Sequence, residues 1–319
     1  MNKQKILVCG ATGFIGRNIT EKLACREDLD IVGVYHIRPP FECPSVTWVQ
    51  ADLCQPDDIS RVLDGVDIVI QAAATTSGSK QIVSKPYIHV TDNAVMNAYL
   101  FRGCFDLAIK SLIFFSCTVM YQSSSTPLRE DDFDPSEEMH ANYFAAGWTK
   151  VYNEKMCEFY ARLGKTRYTV IRHSNIYGPH DKFDLENSHV FGATVTKVMQ
   201  AKNGEVEIWG GGKEGRDLLF VGDLVDLVEL AIEKQTTPFE IFNCGAGTAI
   251  SINDLASKII SASGKDLIVR HNLSGPSIKT TMALNCAKAK RELGWEPKTS
   301  LSDGIDIVVR WWKNNIGDK

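Results

Sequence analysis

Short runs of continuous apolar residues recur along the first 172 positions, separated by longer stretches with amphipathic spacing. The first is Lys5-Ile6-Leu7-Val8-Cys9, the kind of run that a parallel sheet buries on both faces. It stops at Gly10, after which Phe14, Ile15, Ile19 and Leu23 follow helical spacing. Further strand-like runs stand at 31–35, 46–49, 66–70, 111–115 and 168–171, with helix-length segments at 91–108 and 147–163. Alternation of this kind predicts right-handed βαβ units and an α/β, Rossmann-like doubly wound parallel sheet.

Near residue 172 the rhythm breaks. Residues 175–188 are polar and turn-rich. Helical spacing returns at 190–201, 224–233, 252–262, 286–293 and 301–313, with short strands at 205–209 and 240–243. The expectation is a dinucleotide-binding domain over 1–172, with parts of 217–247 returning to it. A smaller mixed α/β C-terminal substrate domain takes 173–216 and 248–319. Internal repeats, low-complexity stretches and flexible linkers are absent from the sequence.

Composition removes several function classes. Lys+Arg total 35 against 39 for Asp+Glu, and the net charge of −4 gives no global attraction to nucleic acid or an acidic membrane. The 44% hydrophobic and 23% charged fractions allow a full core and argue against disorder. The 9 cysteines are odd in number, scattered and never spaced Cys-x-x-Cys. Neither a disulfide framework nor a metal site is expected, and a reducing cytoplasm is the natural home. The apolar run before Gly10 is too short for a secretory signal, and no later run approaches a membrane span.

Candidate chemistry begins at Gly10-Ala11-Thr12-Gly13-Phe14-Ile15-Gly16, between the first strand and the first helix. Gly10 suits a tight turn, Gly13 a close approach to a pyrophosphate, and Gly16 close helix–strand packing. The helix N-terminus beyond offers unpaired N–H groups and partial positive charge. The spacing is G-x-x-G-x-x-G, and its placement between a strand and a helix points to dinucleotide binding. The second strand ends in Tyr35-His36-Ile37-Arg38-Pro39-Pro40, with no acid for ribose hydroxyls. Arg38, with Arg17 beside the loop, therefore favours the 2′-phosphate of NADP over NAD. Asp52, next to Leu53, suits either an adenine contact or the acid of a helix N-terminus.

These residues resemble the extended short-chain dehydrogenase/reductase family of NDP-sugar epimerases, dehydratases and reductases. The likeness runs through Gly10–Gly16, Asp52, Gln71-Ala72-Ala73-Ala74, Phe115-Ser116-Cys117-Thr118 and Asn175-Ile176-Tyr177-Gly178-Pro179. The second half, with Asn187-Ser188-His189-Val190, Glu207-Ile208-Trp209-Gly210 and Gly215-Arg216-Asp217, is most similar to the GDP-fucose synthase branch. That resemblance implies an NADP-dependent keto reductase or epimerase acting on a GDP-linked or similar nucleotide sugar. It places His189 on a catalytic histidine, Lys197 and Arg216 near the nucleotide diphosphate, and Trp209 near the base. Thr118, Tyr143 and Asn175 fall on the substrate side. Without the resemblance, His189 is equally a surface histidine capping the helix that starts near 190. The helices near 93–108 and 147–163 carry apolar residues on more than one face, and the family pairs them in a homodimer.

The catalytic core departs from that pattern. A tyrosine four residues before a lysine shares its helix face, so the ammonium can lower the phenol pKa. Gly147-Trp148-Thr149-Lys150 keeps the lysine, but the tyrosine slot holds Ala146, the serine/threonine slot holds Cys117, and the base position holds Val119. Three readings stay open: an engineered variant, an enzyme whose acid is Cys117, Tyr143, His189 or water, and a protein that binds without turnover. A conventional NAD-retaining 4-epimerase is a further alternative.

Overall fold

A computed structural model of the chain describes residues 3–76, 84–275 and 278–317. Its first half alternates strands and helices: β1 (Gln4–Cys9), α1 (Phe14–Leu23), β2 (Leu29–Tyr35), β3 (Val46–Gln50), α2 (Pro56–Leu63) and β4 (Ile68–Gln71). Then come α3 (Thr91–Asp106), β5 (Ser111–Cys117), α4 (Phe144–Arg162) and β6 (Arg167–His173). The second half contains β7 (Asn175–Tyr177), α5 (Val190–Gln200), β8 (Glu205–Trp209), β9 (Gly215–Phe220), α6 (Val221–Lys234) and β10 (Phe239–Cys244). It finishes with β11 (Ala249–Ser251), α7 (Ile252–Ser263), β12 (Ile268–Asn272), α8 (Ala287–Leu293) and α9 (Leu301–Asn315).

Among the described residues, seven strands form one sheet in the order β10-β6-β5-β4-β1-β2-β3. Every neighbouring pair is parallel. The order in which strands are added reverses between β1 and β4, which opens a crevice at their carboxyl ends, where Rossmann-like sheets take ligands. The period-2 alternation of side chains explains the two layers. Ile6 and Val8 face a core with Ile19, Leu23, Leu224 and Val228, from α1 and α6. Leu7 and Cys9 face the opposite core, with Ile59, Leu63, Leu100, Phe101 and Cys157, from α2, α3 and α4.

Two small sheets, β11-β9-β7 and β12-β8, lie outside this body. Tyr177, Phe191, Val195, Leu255, Ile259, Val308 and Trp312 form their own core. β10 instead pairs with β6 and extends the main sheet. Several elements escaped the hydrophobic pattern. β7 is three residues long inside a polar segment, and β12 is largely exposed, so neither carries an apolar run. α2 is short, although Pro56 at its first turn followed by Asp57 and Asp58 is a start signal.

A buried ion pair ties α4 to the sheet. Arg172 Nη2 lies 2.7 Å from Glu154 Oε2, and both side chains are only 5% exposed. Arg172 Nε donates to both carboxylate oxygens, at 3.0 and 3.2 Å. Its Nη1 donates to the Tyr121 hydroxyl at 2.7 Å and the Glu130 carbonyl at 2.9 Å. Removing one partner of such a pair leaves a buried, uncompensated charge, which costs ~3–5 kcal/mol. Glu154→Ala should therefore lower unfolding free energy in urea by about that amount. Glu233→Ala, which breaks an exposed pair with Arg26, should change it by less than about 1 kcal/mol. Equal effects from the two variants would remove the pair from this role.

Candidate functional site

The crevice begins with a close three-way approach of backbone. Gly10 has a φ of +70°, and a Cβ on it would stand 2.7 Å from the Cα of Ala73. A Cβ on Gly16 would overlap the Gly10 carbonyl oxygen. Only glycine lets β1, α1 and the stretch after β4 meet here. α1 starts from Gly13 with no side-chain cap and no acid in its first turn. Its leading amides are left for an anion, so the cradle fits a dinucleotide's phosphates.

Around this cradle, Arg38 Nη1 donates to the Thr12 carbonyl at 3.1 Å, which holds the guanidinium at the loop. Arg17 is differently engaged: its Nε bonds Glu21 at 2.8 Å, and its guanidinium lies 4.2 Å from the Phe41 ring centre. Phe14 and Ile15 open α1 half-buried. Asp52 Oδ1 accepts from the Cys54 amide at 3.0 Å, within the turn that leads to α2, and Leu53 is buried beside it. Ala72, Ala73 and the exposed Ala74 are held from below by a polar chain. Gln71 Nε2 donates to Asn97 Oδ1 at 2.8 Å. The Thr75 amide donates to Asn93 Oδ1 at 3.0 Å, and Asn93 Nδ2 returns a bond to the Thr75 carbonyl.

At the carboxyl edge of β5 and β6 the reactive groups collect. Cys117 ends β5 directly across from His173, and Thr118 opens the short helical turn that follows. From α4, Lys150 Nζ donates to the Phe115 carbonyl at 2.7 Å and sits 4.9 Å from the Phe114 ring centre. Burial holds the Lys150 ammonium below the usual lysine pKa. Ala146 lies one turn earlier on the same face of α4. Tyr143 caps α4; burial raises its phenol pKa against the opposing pull of Arg216, with Cys117 also within electrostatic reach.

On the facing wall, Arg216 donates to the Gly215 carbonyl at 2.8 Å, the Ile278 carbonyl at 2.8 Å, and the Thr280 carbonyl. Asn175 Nδ2 donates to the Asp217 carbonyl at 3.2 Å. Lys197 Nζ lies 4.3 Å from the Trp209 ring centre, and Trp209 Nε1 donates to Glu207 at 2.8 Å. His189 precedes α5 but makes no capping bond with its side chain. The residue is exposed. The enclosing walls, with the charges of Lys182 and His89, hold its pKa below the ordinary histidine value.

Sequence reasoning missed His173, Lys182 and the Gln71–Asn97–Asn93 chain. His173, two residues before Asn175, carried a positional signal; the others depend on tertiary contacts. The His173 Nδ1 lies 2.7 Å from the Ser174 carbonyl, so it carries the proton and leaves Nε2 unprotonated. Burial lowers its pKa to about 4, with Lys150 and His189 adding to the effect. The folded state then binds fewer protons than the unfolded chain between pH 4 and 6.5. This contribution to stability is complete above pH 6.5 and is lost as the pH falls through about 4. Replacing His173 by Gln should flatten the decline of melting temperature between pH 7 and pH 5. An unchanged decline would show that His173 is not its source.

Comparison with known proteins follows the same lines. Residues 6–245 match the model of the NAD dependent epimerase/dehydratase family. The chain is 27% identical to a GDP-L-fucose synthase of Sinorhizobium fredii, over 100% of this chain and 98% of that protein. It is 26% identical to the GDP-L-colitose synthase of Yersinia pseudotuberculosis, over 97% and 98%. The crystal structure of a Thermotoga maritima UDP-glucose 4-epimerase with UDP-glucose superimposes with a TM-score of 0.87 at 25% identity, covering 98% of this chain and 100% of that one. The glycine cradle, the parallel sheet around it and the match over residues 6–245 place this chain in the NAD dependent epimerase/dehydratase family.

Proposed function

We propose that the chain is an NADP-dependent oxidoreductase acting at C4 of a 4-keto nucleotide sugar, GDP-linked or similar. One observation carries this reading: Lys150 and Cys117 stand at the same sheet edge as the uncapped start of α1. Arg38 at the loop supports NADP over NAD. A bound nicotinamide supplies or accepts the hydride. Lys150 would hold the ribose and add positive charge near the reacting sugar oxygen, and Cys117, at the same sheet edge, would lie beside it. Lys197, Trp209 and Arg216 present two cations and an aromatic face to the nucleotide. Val119 cannot take a proton, so reduction is the step retained, and two-centre epimerisation by the usual base is not.

Purified chain, NADPH and a panel of 4-keto nucleotide sugars test this directly. Hydride transfer above the solution background supports an enzyme. No transfer, with both ligands bound, favours a non-catalytic binding protein. Interconversion without added cofactor favours an NAD-retaining 4-epimerase.

Position 146 gives a sharper test. Ala146→Tyr puts a phenol one turn before Lys150, where general acid catalysis typically contributes ~10²–10⁴-fold. Single-turnover reduction should rise by at least about tenfold, with NADP affinity nearly unchanged. A rate at or below the parent's would defeat the vacant-slot account and shift the proton to Cys117, Tyr143 or His189.

We also propose a homodimer through α3 and α4. Tyr99, Trp148, Tyr152, Phe159 and Leu163 are exposed large apolar residues on these helices and the residue that ends α4. The double variant Tyr152→Asp, Phe159→Asp should give a monomeric mass by light scattering where the parent gives a dimer. A monomeric parent would reject the interface. All nine cysteines are free, which suits a cytoplasmic setting. No helix among the described residues is long and apolar enough to cross a membrane.

A further inference from the structure

We propose that Lys182 reaches across the crevice to bind the diphosphate of the dinucleotide, an inference that rests on the cofactor reading above. The segment from Gly178 to His189 joins β7 to α5 and passes over the start of α1. Asn18 Nδ2 donates to the Pro179 carbonyl at 3.0 Å and to the Phe14 carbonyl at 2.9 Å, which links that segment to the helix. His180 Nε2 approaches Glu21 at 3.3 Å, one turn further along α1. A Cβ on Gly178 would stand 3.7 Å from the Phe14 ring. Segment and helix are therefore in contact from Phe14 through Asn18 to Glu21.

From this segment the Lys182 ammonium extends to the other side. Its Nζ donates to the Thr76 carbonyl at 3.0 Å and lies 3.4 Å from the Thr76 hydroxyl, on the stretch after β4. The ammonium thus spans the gap between α1 and β4, the two walls of the crevice. Its partners there are neutral oxygens. No carboxylate lies within ion-pair distance of it among the described residues.

The acids nearby bond backbone amides, and Asp181 Oδ2 is left buried without a hydrogen-bond partner among the described residues. Asp181 is buried, with Oδ1 accepting the Lys182 amide at 2.7 Å. Asp184 Oδ1 accepts the Glu186 amide at 3.0 Å and the Asn187 amide at 2.6 Å. Asp181 and Asp184 still favour the charged lysine from a distance, while Arg38 opposes it and burial costs it solvation. Arg38 is itself fixed to the Thr12 carbonyl on the cradle. Two cations are therefore held on opposite sides of one cradle at the cost of mutual repulsion, and a polyanion between them relieves it. A dinucleotide carries that polyanion at its centre, and Arg38 already covers the ribose end. The diphosphate is the part left for Lys182.

Fluorescence titration of NADPH and NADH into the full chain, with thermal melts as a folding check, tests this. Lys182→Gln keeps an amide donor on a stem one atom shorter and removes the charge. It should weaken both dinucleotides by about tenfold or more, in equal proportion, because both carry the diphosphate. The salt dependence of binding should shrink with it. Lys182→Arg should restore affinity to within about threefold of the parent, because it keeps the charge. A loss confined to NADPH would make Lys182 a 2′-phosphate contact and overturn the diphosphate assignment. No loss for either would overturn it entirely. Failure of the parent chain to bind either dinucleotide would instead overturn the cofactor reading, and this inference with it.

Discussion

The bidentate contact of Arg172 with Glu154 fixes the position of α4, and the chemistry of the cleft depends on that helix. Arg172 lies on β6 and Glu154 on α4, so the pair locks the rotation and height of the helix against the sheet. Arg172 also holds Tyr121 and Glu130, from the segment that follows β5, and Tyr121 in turn meets Asn243 on β10. One guanidinium thus joins β5's exit, β6, β10 and α4 at one end of the sheet. Lys150 sits one turn before Glu154 and inherits its placement at the Phe115 carbonyl. So does the gap at Ala146.

That gap gives the site its unusual character. Lys150 Nζ is held on the Phe115 carbonyl at 2.7 Å. The groups that would move a proton are altered: a thiol at position 117, a methyl at 146, an isopropyl at 119. Desolvation lowers the pKa of both His173 and His189 below the ordinary histidine value.

Much of the fold was legible because parallel strands buried on both faces must be continuous apolar runs, and 5–9, 111–115 and 168–171 are such runs. Gly10–Gly16 was equally plain, since strand, glycines and amphipathic helix adjoin in sequence. The small sheets were harder to read. Their strands are three to six residues long, and β12 exposes most of its side chains. For the site, Lys150, Ala146 and Cys117 are singled out by their resemblance to the family's local motifs. Lys182 is not, because its partner Thr76 lies 106 positions away. The same holds for Gln71 and Asn97, whose bond under the crevice spans 26 positions and leaves no periodic trace. Arg17, adjacent to the loop in sequence, also meets Glu21 and Phe41, contacts that adjacency does not reveal.

The most direct measurement is a crystal structure of the chain with NADP(H). The account predicts the diphosphate over the first turn of α1 between Arg38 and Lys182, with the nicotinamide ring turned toward Lys150, Cys117 and the space beside Ala146. A dinucleotide bound elsewhere, or one whose nicotinamide points away from Lys150 and Cys117, would contradict it.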